Sequence, residues 1–182
     1  MRNALLLAAL LALAGPATAT DYVQAPGSSL AFGGTYQGEA FSGRFPGFRT
    51  TLSFDPTDPA GGRLDVTIPL ASATTGNDDY DGELRGRTFF DSARFAQARY
   101  TATGFRALDD GRYAADGVLS LRGIERPVTL VFSWTPGPEP VLAGRATVSR
   151  LEFGVGEGEW SDTSVIPDAI AVSTRVVLRP AD

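Results

Sequence analysis

The sequence predicts an all-β fold, an antiparallel barrel or sandwich interrupted by one short helical insertion. Three observations lead there. Apolar and polar residues alternate with period two in run after run. Turn signals rich in Gly, Pro and Asp separate about eight or nine such runs. No strand–helix–strand crossover of the parallel-sheet kind occurs. The clearest run is Tyr113 to Trp134. Tyr113, Ala115, Gly117, Leu119 and Leu121 share one side of an extended chain, and Val128, Leu130, Phe132 and Trp134 share one side of the next. Gly123 separates them, and Ile124 to Pro127 reads as the reversal of a long antiparallel hairpin whose apolar side needs an apolar partner.

The other elements follow in chain order. Met1 to Ala19 reads as an export leader. Arg2 supplies the positive start, Ala4 to Ala14 is an apolar run, and Ala17-Thr18-Ala19 is an A-x-A cleavage site. The run is too short for the ~20 residues that span a bilayer, so cleavage is expected after Ala19, leaving residues 20–182 as one domain. Leu30 and Phe32 mark a first strand. Tyr36 to Phe45 is a second, carrying Phe41, and Phe45-Pro46-Gly47-Phe48 turns it into a third at Thr50 to Phe54. Leu64, Val66, Ile68 and Leu70 alternate cleanly, with Pro69 marking an edge, a bulge or the strand end. Asn77-Asp78-Asp79 is a helix start, and the helix is expected between about Asn77 and Phe90, weakened by Gly82 and Gly86. Arg99 to Phe105 is a strand, and Asp109-Asp110-Gly111 turns it into the long hairpin. Val141 to Phe153 and Ile170 to Leu178 are the last two strands.

Composition excludes several chemistries. The chain has no His and no Cys. It therefore lacks the parts of a Ser-His-Asp triad, a Cys-His pair, a thiol redox pair or a Cys/His zinc site, and it has no disulfide and no thiol to lipidate. The net charge of −5 and a pI near 4.8, with no basic stripe, argue against nucleic acid as a partner. All 16 basic residues are Arg. No cofactor and no enzymatic activity is expected.

Four local patterns have a functional and a structural reading. Asn77-x-Asp79-x-Asp81-Gly82 matches the first half of a calcium loop, but Arg85 and Thr88 stand where further ligands belong, so a solvated helix cap is the better reading. Gly154-Val155-Gly156-Glu157-Gly158 resembles a phosphate loop only in its glycines. Nearby Glu152, Glu157 and Glu159 would repel a phosphate, which leaves a flexible strand connection. Asp109 and Asp110 belong to a turn. Phe89, Phe90 and Phe95 are different, because they lie on the insertion rather than on a strand. They are either core or the lid of an apolar ligand pocket.

The chain carries an ordered set of short motifs. It comprises Ser29-Leu30-x-Phe32, Gly43-x-Phe45, Phe54-Asp55-Pro56, and Leu84-Arg85 with Phe89-Phe90-Asp91 and Phe95. Gly117-x-Leu119-x-Leu121-x-Gly123-Ile124-x-x-Pro127-Val128-x-Leu130 and Arg150-x-x-Phe153-Gly154-Val155 complete it. In this order the set is similar to the YceI-like family of exported bacterial polyisoprenoid-binding proteins; the resemblance runs from about Thr20 to Leu178 and departs from the common pattern at Ala96 and at Pro167-Asp168-Ala169. It implies an extended, eight-stranded, antiparallel lipocalin-like barrel whose interior holds a long-chain polyisoprenoid such as a polyprenyl quinone. The expected ligand-contacting residues are Phe32, Phe89, Phe90, Phe95, Tyr100, Leu119, Leu121, Leu130, Phe132, Phe153 and Val172. A periplasmic or secreted carrier or store, with transient membrane contact, is the functional expectation. The alternative is a structural or interaction barrel whose core is filled by its own side chains. The sequence sets no oligomeric state.

Overall fold

A computed structural model describes residues 19–181. The leader expected over Met1–Ala19 lies, apart from Ala19, outside them. Ten strands form one antiparallel sheet: β1 (Thr20–Gln24), β2 (Ser29–Tyr36), β3 (Glu39–Arg44), β4 (Arg49–Phe54), β5 (Arg63–Pro69), β6 (Gln97–Ala107), β7 (Tyr113–Leu121), β8 (Ile124–Thr135), β9 (Val141–Ser149) and β10 (Ala169–Pro180). The order β1-β4-β5-β6-β7-β8-β9-β10 closes on itself through Tyr22↔Pro180, Val23↔Arg179 and Gln24↔Leu178. Eight strands thus make a closed barrel, as predicted. The β2–β3 hairpin extends two of its walls: β2 continues β1 beyond a bend at Ala25–Ser28 and pairs the other half of β10, Ala171 to Arg175. Likewise β3 leads into β4 through the bend at Phe45–Phe48, and a bridge from Arg44 to Thr74 ties it to the segment after β5.

β1 has no counterpart in the sequence reading. Only Tyr22 and Val23 in Thr20–Gln24 are apolar, and adjacent residues face opposite sides, so there is no alternation to detect.

The central hairpin turns three residues earlier than expected, over Leu121–Ile124 rather than Ile124–Pro127. Arg122 (φ 52°) and Gly123 (φ 75°) are the two central residues of a tight turn with both φ values positive, which suits the right-handed twist of the flanking strands. Pro127 therefore lies within β8, opposite Val118. A two-residue hairpin closes on a hydrogen-bonded pair, here Leu121 and Ile124, and such pairs alternate along the ladder. Val118–Pro127 is then a non-bonded pair, with the proline nitrogen pointing away from β7. On that side β9 is absent, because β8 and β9 pair only from Val131↔Arg145 onward. The missing N–H breaks no rung.

The helix α1 is shorter than expected, spanning Asp78–Arg85. Asn77 caps it, its side chain accepting from the N–H groups of Asp79 and Tyr80. Gly86 leaves helical geometry, and Phe89 and Phe90 follow in tight turns, with the Phe90 N–H donating to Leu84 O at 2.9 Å. Asp81 does not face outward as a calcium ligand would. It is buried, and its carboxylate accepts from Thr74 Oγ1, Thr75 N and Thr75 Oγ1 at 2.6–2.8 Å.

One end of the barrel is filled by aromatic rings. Phe54 packs edge-on against Tyr113, Phe132 and Trp134 at centroid distances of 5.1, 5.7 and 5.0 Å, and Phe105 meets Phe132 at 5.7 Å. Phe54 and Phe132 are each 1% exposed. Burying such a ring is worth about 2–3 kcal/mol, with roughly 0.5–1.5 more for each favourable ring pair. This end is solid core.

Candidate ligand cavity

Away from the aromatic plug the barrel is hollow. It encloses a cavity of about 200 Å³ whose exposed lining carries no polar surface. An apolar void of about 150 Å³ already stays dry and takes up benzene. The walls are built by alternation: inward residues of β2 to β10 supply the lining, and outward ones meet solvent.

Of the residues expected to contact a ligand, Phe32, Tyr100, Leu119, Leu121, Leu130 and Val172 line the walls, while Phe89 and Phe90 close the end beside α1. Phe95, Phe132 and Phe153 do not line it. Phe95 packs outside, against the β7–β8 turn at Gly123, with the Arg94 guanidinium 5.0 Å from its ring centroid. Phe132 belongs to the aromatic plug. Phe153, 1% exposed, sits in a 3₁₀ turn, Leu151–Phe153, laid against β8 where β8 and β9 have separated. Sequence reasoning missed Val66 and Ile68 as lining residues, although their alternation in β5 was the plainest signal in the chain. It also missed Val155 and Ile166, which come from the irregular β9–β10 connection and have no period to reveal them.

That connection, residues 150–168, is organised by Arg150, which is 3% exposed. Its guanidinium donates to five backbone carbonyls: Pro167 at 3.1 Å, Val155 and Gly156 at 2.9 Å, Trp160 and Ile166 at 2.7 Å. Burial pulls its pKa down, and the nearby Asp168 carboxylate opposes this. Asp168 accepts from Ser149 Oγ and Leu151 N, bonds that hold its own pKa below the usual carboxylate range. The glycine-rich stretch read as a flexible connection is thus wrapped around a buried cation. The Phe89–Phe90 turn is fastened to it. Gly156 N–H donates to Thr88 O at 2.7 Å, Arg122 donates to Arg87 O and Thr88 O, and Trp160 packs on Phe89 at 5.7 Å and on Tyr36 at 6.1 Å.

Tyr100 is a buried polar residue of the wall, 8% exposed. Its hydroxyl reaches Ala115 O at 2.8 Å and Val128 O at 3.0 Å. Burial pushes its pKa up to about 12. Gly117 makes room for it: a Cβ there would lie 2.5 Å from the end of the Tyr100 ring and 2.5 Å from Thr101 O. Among the described residues no group of His, Cys, Asp or Glu is arranged to hold a metal, and no helix is long and apolar enough to cross a membrane.

A family model described as a YceI-like domain matches residues 22–178. A UPF0312 protein of Photorhabdus laumondii is 32% identical over 126 residues, covering 67% of this chain and 65% of its own length, so the chain spans just under two thirds of that relative. The crystal structure of Burkholderia cenocepacia BcnA superposes with a TM-score of 0.79 at 26% identity, covering 82% of this chain and 95% of that one. A polyisoprenoid binding domain from Saccharophagus degradans, implicated in plant cell wall breakdown, shares the fold with a TM-score of 0.68 at 16% identity, covering 90% and 99%.

Proposed function

This chain belongs to the YceI-like family, and we propose that it is an exported protein that holds a long-chain polyisoprenoid lipid in its barrel, as a carrier or store. The observation that carries this reading is the cavity: a closed barrel whose interior exposes only apolar surface, beneath an aromatic lid. An interior meant only as core is packed without voids of this size. The fold shared with a polyisoprenoid binding domain supports the choice of ligand class. Binding needs no catalytic group. Each CH₂ taken from water contributes about 0.8 kcal/mol, so a few isoprene units offset the freedom lost on binding. The leader-like Met1–Ala19 supports export to the periplasm or beyond, with Thr20 as the mature N-terminus.

The test is organic extraction of the protein purified from its native host, followed by mass spectrometry. The expected result is one isoprenoid class in stoichiometric amount on a chain beginning at Thr20. A folded chain that carries no lipid and takes none up from detergent solution would mean a structural barrel instead.

A further inference from the structure

The outer wall of the barrel carries its charge unevenly. The chain has 21 acidic residues against 16 Arg, yet β9, β10 and β2, which lie side by side, contain no Asp or Glu. Elsewhere on the wall arginines are matched across strands: Arg99 pairs with Asp65, and Arg106 with Asp116. On β9 and β10 the matching acids are missing. Exposed Arg145 stands between Val131 and Ser173, and exposed Arg175 between Ala143 and Ser29. The two arginines are diagonal neighbours on adjacent strands, an arrangement of like charge that costs stability. Among the described residues Arg145 has no hydrogen-bond or ion-pair partner, and Arg175 donates only to Gly27 O, at 3.3 Å.

Between these arginines the wall is dished. The short side chains of Ser133, Ala143 and Ser173 floor an open hollow of about 430 Å³, rimmed by Arg145, Arg175 and Arg112. Tyr113 pairs with Phe132, so Arg112, one residue earlier, flanks Ser133 from the β7 side. Arg112 holds Asp110 through Nε and Nη2, which leaves Nη1 for another acceptor. Neighbouring positions are about 4.8 Å apart across the strands and about 7 Å along one. An oxyanion above Ser133 and Ala143 is therefore within side-chain reach of all three guanidinium groups. A carboxylate offers two oxygens and one charge; a phosphoryl group offers three oxygens and nearly two charges. Arginines on three sides, with serine hydroxyls beneath, suit the second. We infer that this hollow is a binding site for a phosphoryl group, carried by a soluble phosphate ester or by a lipid headgroup. The site faces solvent and does not depend on what the barrel holds.

The experiment titrates the chain from Thr20 onward with glycerol 3-phosphate, acetate and glycerol, following the arginine Nε–H resonances by NMR. In parallel it floats the chain with vesicles of phosphatidylcholine, alone or mixed equally with phosphatidic acid. Glycerol 3-phosphate is expected to shift Arg145 and Arg175 saturably, acetate to bind roughly tenfold more weakly, and glycerol not at all. Arg145→Gln should weaken phosphate binding roughly tenfold, about the worth of one charge-assisted hydrogen bond. It should leave the ligand-free melting temperature level or raised, because it removes a repulsion. Arg63→Gln, on β5 across the barrel, removes the same charge at a screened distance and should change binding less than about twofold. Flotation with the phosphatidic acid vesicles that Arg145→Gln abolishes makes the headgroup the source; saturation by the soluble ester without flotation makes it the free ester. Acetate binding as tight as phosphate, equal losses in Arg145→Gln and Arg63→Gln, or no response to either ester or vesicles overturns the site.

Discussion

At the scale of single residues, Tyr100 shows how the wall tolerates a polar group. Its ring lies on the inner face over Gly117, and its hydroxyl turns to the carbonyls of Ala115 and Val128. The phenol is neutral in this environment, and its folded-state pKa of about 12 exceeds the ordinary value of 10.0. Deprotonation is therefore harder in the folded chain than in the unfolded one. The stability this supplies is fully present below pH ~10 and is lost as pH rises through about 12. Ultraviolet titration of the folded protein should show one of its five tyrosines ionising near 12. Tyr100→Phe should remove that late component and soften the alkaline unfolding transition, at a cost near neutrality of about 1 kcal/mol. A late component that survives in Tyr100→Phe would assign the shift to another tyrosine.

Among the elements, the β9–β10 connection depends most on one side chain. A strand connection rich in glycine would ordinarily be loose. Here Arg150 gathers five carbonyls from positions 155 to 167, and the lid turn is fastened to the result through Gly156 and Thr88. Arg150→Met keeps much of the bulk and removes every donor, leaving the carbonyls to find water. Amide exchange should accelerate for the connection and for Thr88 to Phe90, while β6, β7 and β8 stay protected, since such openings are local units. Hydrogen-exchange mass spectrometry checks this. Uniform acceleration across the sheet would show that Arg150 supports the whole barrel rather than its lid.

At the scale of the molecule, hollow and solid regions respond differently to added volume. Leu119→Trp points into the cavity and should leave a folded barrel, its melting temperature lowered by only a few degrees, while excluding lipid; a packed core loses 1–3 kcal/mol or more to such a change. Thermal melts beside extracted lipid content decide it, and severe destabilisation would mean the interior relaxes into a filled core. The same contrast explains what the sequence could reveal. Period two told inward from outward on β6, β7, β8 and β10, so Tyr100, Leu119, Leu130 and Val172 fall on the cavity wall. It carries no information about height along the barrel axis. Leu130 and Phe132 are neighbours on one face of β8, yet one lines the cavity and the other belongs to the plug. Height depends on which strand ends meet and on how far β8 and β9 diverge, and those are set by pairing across long stretches of chain.

The ring closes where β10 meets β1, joining Tyr22 to Pro180. No short-range route leads to that seam, and the loop-closure entropy of nearly the full chain must be met before it forms. β10 also pairs β9 and β2, so three neighbouring strands wait on the last one to be made. A chain that emerges from a translocation channel N-terminus first therefore has no lumen at all until its final strand has come through. On the proposed reading of an exported carrier that crosses the membrane unfolded, cargo would enter only after transport is complete, in the compartment where the protein works.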